Sequence, residues 1–141
     1  MHNYQSMITA QLKAQHLPLD LLAIPLLESR YQPLLANNKT NTAGIWQLSS
    51  TIAKYYGLKI NDKIDERINP KAATYAALTY LNDLHAEFNN WPLAITSYNA
   101  GSNVTKKLMQ SPNNKIPQEV KSYLPMADAA VIIMHNPELV K

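Results

Sequence analysis

The sequence predicts an all-α, mainly helical chain, and three observations predict it. Apolar residues recur at helical spacing, most clearly at Ala73, Ala76, Ala77, Tyr80, Leu81, Leu84 and Phe88. Proline, glycine and small polar residues stand where helices start and stop. Runs that alternate apolar and polar residues are nearly missing, so only the region from residue 38 to 48 can hold one short hairpin. At 141 residues, 46% hydrophobic and 16% charged, the chain can bury one core without disulfides or a structural metal.

Each element follows from local chemistry. A first helix covers residues 3–16 and ends at Leu17-Pro18. A second runs from Asp20 to Ser29 but meets Pro25, which lacks a backbone donor and must kink or restart it. Glu28 then falls in the turn after that break. Residues 32–43, rich in Asn and Thr, read as loop. Ser49 caps a short helix that reaches Tyr56 and stops at Gly57. Asn69 caps the longest helix, with Pro70 at its first position and Phe88 near its end. Trp91-Pro92 opens a helix that Gly101 closes, and another runs from Ser102 to Gln110. Pro117 and Pro125 each begin a further helix, the last ending near Asn136-Pro137.

Composition removes several function classes. The three glycines, Gly44, Gly57 and Gly101, cannot build a dinucleotide fingerprint, a P-loop or a G-x-S-x-G elbow. Cysteine is absent, which excludes thiol catalysis and Cys-ligated zinc. The net charge of +3 is scattered rather than gathered in a basic stripe, so no nucleic-acid partner is expected. No apolar run is long enough to span a bilayer. His2, His16, His85 and His135 lack metal-ligand spacing, and no metal or other cofactor is expected. Asp62, Asp65, Glu66 and Arg67 stand just before the longest helix, where acids suit a helix N-terminus and an Asp-Arg pair can tie down a loop; the cluster reads as structural.

Three stretches exceed what a plain helical core needs. "LLESRY" brings the carboxylate of Glu28 to an apolar turn, and burying an ionised carboxylate without a partner costs several kcal/mol. Such a residue is either at an exposed helix end or has a task. "TAGIWQLSS" sets Gly44, Trp46 and Gln47 after a polar loop, and "ITSYNAGS" ends an apolar helix with Tyr98 and Asn99. Singly these are a helix end, a turn with a packed Trp and a glycine cap. Together they supply a tunable acid, amide and phenol hydrogen-bonding groups, and aromatic surfaces for sugar rings.

"ES" at Glu28-Ser29, "AGIWQ" at Ala43 to Gln47 and "YNAG" at Tyr98 to Gly101 resemble, in order, the three motifs of the lytic murein transglycosylases of the goose-type lysozyme-like superfamily. The variant I-W-Q makes the resemblance closest to the catalytic domain of the membrane-bound D type. It extends over "HLPLDLLAIPLLES", "DERINPKAATYAALTYLNDL", "WPLAITSYNAG" and "IPQEVKSYLP", nearly the whole chain. It implies a lysozyme-like fold with a substrate groove, in which Glu28 is the single catalytic acid and base. Ser29, Gln47, Tyr98 and Asn99 match positions that shape the site or bind substrate. Glu119 resembles a second acid that supports the cleft, in a segment whose tyrosine is Tyr123; Val120 stands where most relatives have Thr. Between Glu28 and Gln47 this chain is one residue longer than the family pattern. That leaves Asn37, Asn38 or neither for the contact with the substrate N-acetyl group.

Ordinary glycosidases use two carboxyl groups, and no Asp or Glu occurs between Ser29 and Asn61. A lone acid suffices if the substrate assists. The resemblance implies that Glu28 protonates the glycosidic oxygen and then deprotonates the 6-hydroxyl of N-acetylmuramic acid, closing a 1,6-anhydro ring. A goose-type hydrolase and a catalytically silent peptidoglycan-binding module are the alternatives. The resemblance further implies a single catalytic domain over residues 1–141, a monomer acting on peptidoglycan strands in the bacterial periplasm or cell envelope. Such a domain is expected to belong to a longer exported protein.

Overall fold

The computed structural model describes residues 2–101, 103, 106 and 107. The helices expected to begin at Pro117 and Pro125 lie outside the described residues, as do Glu119, Tyr123 and His135. The described elements are α1 (His2–Ala14), a 3-10 turn (Leu19–Leu22), α2 (Ala23–Ser29), β1 (Ala36–Asn37), β2 (Thr42–Ala43), β3 (Leu48–Ser49), α3 (Ser50–Tyr55), a second 3-10 turn (Glu66–Ile68), α4 (Pro70–Phe88) and α5 (Trp91–Ala100). The chain is mainly helical. The region that could hold one hairpin forms an antiparallel sheet of order β1-β2-β3, with Ala36 opposite Ala43 and Ala43 opposite Leu48.

Caps set the helix starts. The Asn69 side-chain oxygen accepts from the N–H groups of Lys71 and Ala72 at 3.1 and 3.2 Å, ahead of Pro70. Asn90 accepts from Leu93 at 2.9 Å and Ser49 from Ile52 at 3.2 Å. The break expected at Pro25 falls earlier, between Leu22 and Ala23. Pro25 therefore sits in the first turn of α2, where its missing N–H forfeits no helical bond. The chain leaves α2 through two consecutive left-handed residues, Arg30 and Tyr31. Tyr31 folds back, and its hydroxyl donates to the Leu22 carbonyl at 2.7 Å.

The chain divides into two units, residues 1–80 and 81–141. In the first, Ile8 and Leu12 of α1, Leu21, Ile24, Ile45, Trp46, Leu48, Ala53 and the α4 residues Ala73, Ala76, Ala77 and Leu78 are buried. In the second, Leu81, Leu84 and Phe88 continue the buried stripe of α4, and Ala94, Ile95, Thr96 and Ser97 are buried in α5. His85 stacks on Trp91 there, ring centroids 4.2 Å apart. No described helix is long and apolar enough to cross a membrane.

Candidate active site

The end of α2 is tied to the β2–β3 turn. Ser29, next to Glu28, is buried, and its hydroxyl donates to the Ile45 carbonyl at 2.7 Å while lying 3.1 Å from the Pro25 carbonyl. Ser29 thus faces the interior and does not line the cleft described below. The β2–β3 turn itself is over-determined. Gly44 has φ +84°, and a Cβ there would collide with the Arg67 carbonyl, so only glycine fits. Trp46 is fully buried, and its indole N–H donates to Thr74 Oγ1 at 2.8 Å. It is a core pin of the turn and not a platform for a sugar ring, which corrects the expectation of an aromatic surface at this position.

Gln47 also adopts a left-handed conformation, φ +49°, uncommon for a side chain of its size. Three hydrogen bonds hold it. Its Nε2 donates to the carbonyls of Leu35 at 3.0 Å and Gly44 at 2.8 Å, and its Oε1 accepts from Thr42 Oγ1 at 3.0 Å. Asn37 fixes the β1–β2 loop in the same manner, its Oδ1 accepting from the N–H groups of Lys39 and Thr40 at 3.0 and 3.4 Å. From below, the Arg67 guanidinium donates to the carbonyls of Asn41 at 2.8 Å and Leu48 at 3.2 Å, and pairs with Asp65 at 2.8 Å. The Asp65-Arg67 part of the acidic cluster is structural.

These tethers shape a cleft of about 530 Å³ lined by Glu28, Leu35, Ala36, Asn37, Asn38, Lys39 and Gln47. Glu28, Asn37, Asn38 and Gln47 are thereby brought together. Lys39 joins them, and nothing in its polar surroundings in the sequence marks it out. Glu28 is half-buried, and burial pushes its carboxyl up to about 7 from its ordinary 4.5. Its place in the last turn of α2, the negative end of the helix, disfavours ionisation further. Among the described residues Glu28 is the one carboxylate lining this cleft. A larger depression of about 660 Å³, lined by Gln11, Tyr56, Lys71 and Tyr75 among others, has no acid among the described residues of its wall. Among the described residues no cluster of three or more His, Cys, Asp or Glu side chains could ligate a metal ion.

Tyr98 and Asn99 occupy the last turn of α5, in the second unit. Both are half-buried, and Asn99 Nδ2 donates to the Ile95 carbonyl at 3.2 Å.

The family model described as "Transglycosylase SLT domain" matches residues 5–121. The chain belongs to that family. The SLT domain is similar to membrane-bound lytic murein transglycosylase D of Escherichia coli (strain K12), 31% identical over 144 residues that cover 94% of this chain. It is also similar to peptidoglycan transglycosylase gp16 of Escherichia phage T7, 33% identical over 102 residues that cover 70% of this chain. It spans 32% of the first relative and 8% of the second. The X-ray structure of an inactive mutant of lytic transglycosylase Slt from Pseudomonas aeruginosa superposes on 95% of this chain, and on 24% of that one, with TM-score 0.76 and 20% identity. At that identity the likeness shows a shared fold alone.

Proposed function

We propose that this SLT domain is a peptidoglycan lytic transglycosylase that cleaves the β-1,4 bond between N-acetylmuramic acid and N-acetylglucosamine without consuming water. One observation carries the reading: among the described residues the cleft holds a single carboxyl group, unpaired with any described cation and raised by burial to about 7, so near neutrality it can both give and take a proton. Protonated Glu28 donates to the glycosidic oxygen as the bond to C1 breaks, and the N-acetyl carbonyl of the muramic ring stabilises the developing cation. The carboxylate left behind then removes the proton of the muramic 6-hydroxyl, whose oxygen closes on C1. The products are a free 4-hydroxyl on one fragment and a 1,6-anhydro ring on the other, and Glu28 is protonated again.

Asn37, Asn38 and Gln47 border the acid and supply amide groups and backbone edges to an amino-sugar strand. Tyr98, Asn99, Glu119 and Tyr123 keep substrate-facing roles on motif resemblance alone. Ser29 acts by positioning. The domain works as a monomeric catalytic unit on glycan strands in the bacterial envelope, where that substrate lies. Purified sacculi test the proposal: soluble products should carry anhydro ends lacking the mass of one water, and the Glu28→Gln variant should release none. Hydrated reducing ends from the parent would overturn the transglycosylase step in favour of hydrolysis.

A further inference from the structure

Among the described residues that line the Glu28 cleft, Lys39 is the only cation, and the others except Glu28 are neutral. Its backbone is not free to wander, because Asn37 Oδ1 accepts its N–H at 3.0 Å within the β1–β2 turn. Its ammonium, in contrast, is unspent. It forms no salt bridge among the described residues, where Asp65 is taken by Arg67 and Glu87 by Lys106. Its own stretch of sequence from Ser29 to Asn61 contains no acid that could neutralise it. Nor does Glu28 serve as its counter-ion, since no described cation pulls that buried carboxyl back down. A lysine ammonium is a compact cation on a flexible stem, suited to meet a carboxylate whose position varies.

We infer that Lys39 is a specificity element of the cleft, whose ammonium binds a carboxylate carried on the branch of the muramic ring and so separates carboxylate-bearing glycan from neutral amino-sugar polymer. The inference rests on the peptidoglycan reading above and deepens it. A polymer of N-acetylglucosamine offers hydroxyl and acetamido groups, which the amides of Asn37, Asn38 and Gln47 suit, but it has nothing for a cation. The muramic ring adds a lactyl group, which ends in a carboxylate when bare and in a peptide with its own carboxylates when substituted. Both sources present the same chemistry to Lys39.

Binding measured by calorimetry in the Glu28→Gln background, where strands are not consumed, tests this with three ligands of equal length: peptide-bearing strands, peptide-stripped strands with free lactyl carboxylates, and neutral chitooligosaccharide. Adding Lys39→Met is expected to weaken charged strands about fivefold, the size of a solvent-screened ion pair, and to leave the neutral ligand's affinity as it was. Added salt should erase the difference, and Lys39→Arg should preserve the affinity. Loss confined to peptide-bearing strands places the carboxylate on the peptide; loss on stripped strands as well places it on the lactyl group. Equal loss on the neutral ligand, or no loss on either charged one, overturns the inference. A parent that releases no product from sacculi sinks the transglycosylase reading. An active parent whose charged-strand binding ignores Lys39→Met sinks this inference alone.

Discussion

Glu28 and Asp65 are carboxylates of the same unit, and their surroundings drive them in opposite directions. Asp65 accepts from the Arg67 side chain at 2.8 to 3.2 Å and from its backbone N–H at 3.0 Å, and these contacts hold it below the usual carboxylate range. Glu28 has burial without a cation among the described residues, and its carboxyl rises to about 7. The paired acid is committed to holding Arg67 under the sheet. The unpaired one is left with a proton that can move. Burial without a described partner raises the one, a charged partner lowers the other, and the comparison can be broken at either end.

The largest expected effect is at Glu28. Glu28→Gln keeps size and packing but cannot transfer a proton, so turnover of peptidoglycan should fall by at least about 10² to 10⁴. Near-parent activity in this variant would remove Glu28 from the chemistry altogether. Next comes Arg67→Ala, which strips Asp65 of its partner and removes the guanidinium donor from the Asn41 and Leu48 carbonyls. Unfolding in urea should show a loss of about 3 kcal/mol. Because Arg67 holds the sheet that forms one wall of the cleft, activity should fall with temperature earlier than in the parent while the anhydro products stay the same.

The two acids also give opposite pH dependence. Between about 4.5 and 7 folded Glu28 keeps a proton that the unfolded chain has lost, so its contribution is full below 4.5 and fades as pH rises through 7. Asp65, with its carboxyl lowered from 3.8, contributes above that value and loses its contribution as pH falls through the lowered one. Above about pH 8, Glu28→Gln should therefore exceed the parent in stability by on the order of 1–3 kcal/mol, and the gap should close below pH 4.5. Parallel melting curves across that range would show that Glu28 is not held in its neutral form. On the proposed mechanism, parent activity should also decline above about 7, as Glu28 ionises.

Much of this was legible in the sequence because the signals are local. Asn69-Pro70, Ser49 and Gly101 mark helix ends by chemistry confined to a few residues, and the apolar stripe of α4 runs over five turns. Glu28 stood out for the same reason, as a charge beside an apolar run. The sheet did not, because each strand has two residues, too few for alternation to register. Trp46 was ambiguous: an indole suits a sugar platform or a core, and only its bond to Thr74, 28 residues away, decides. Lys39 looks like any lysine in a polar loop until the loop is seen to border the acid. The left-handed Gln47 is similarly invisible, since its conformation depends on the carbonyls of Leu35 and Gly44 and not on its own preference.

The smallest effect is expected at Ser29, and it separates two roles for one residue. A motif match places Ser29 beside the substrate, whereas its buried hydroxyl spends its single proton on Ile45, joining α2 to the turn that carries Gln47. Ser29→Ala leaves the Ile45 carbonyl without that donor and should cost about 1 kcal/mol in urea unfolding. The same slackening lets the end of α2 shift against the β2–β3 turn, so kcat should fall modestly through misplacement of Glu28, with KM nearly constant. If Ser29 instead touches the glycan, KM should rise while stability holds, because removing an exposed hydroxyl from a binding surface disturbs no interior bond. The KM-against-kcat split, read beside the unfolding curve, thus decides whether Ser29 belongs with the committed groups such as Asp65 or with the free ones such as Glu28.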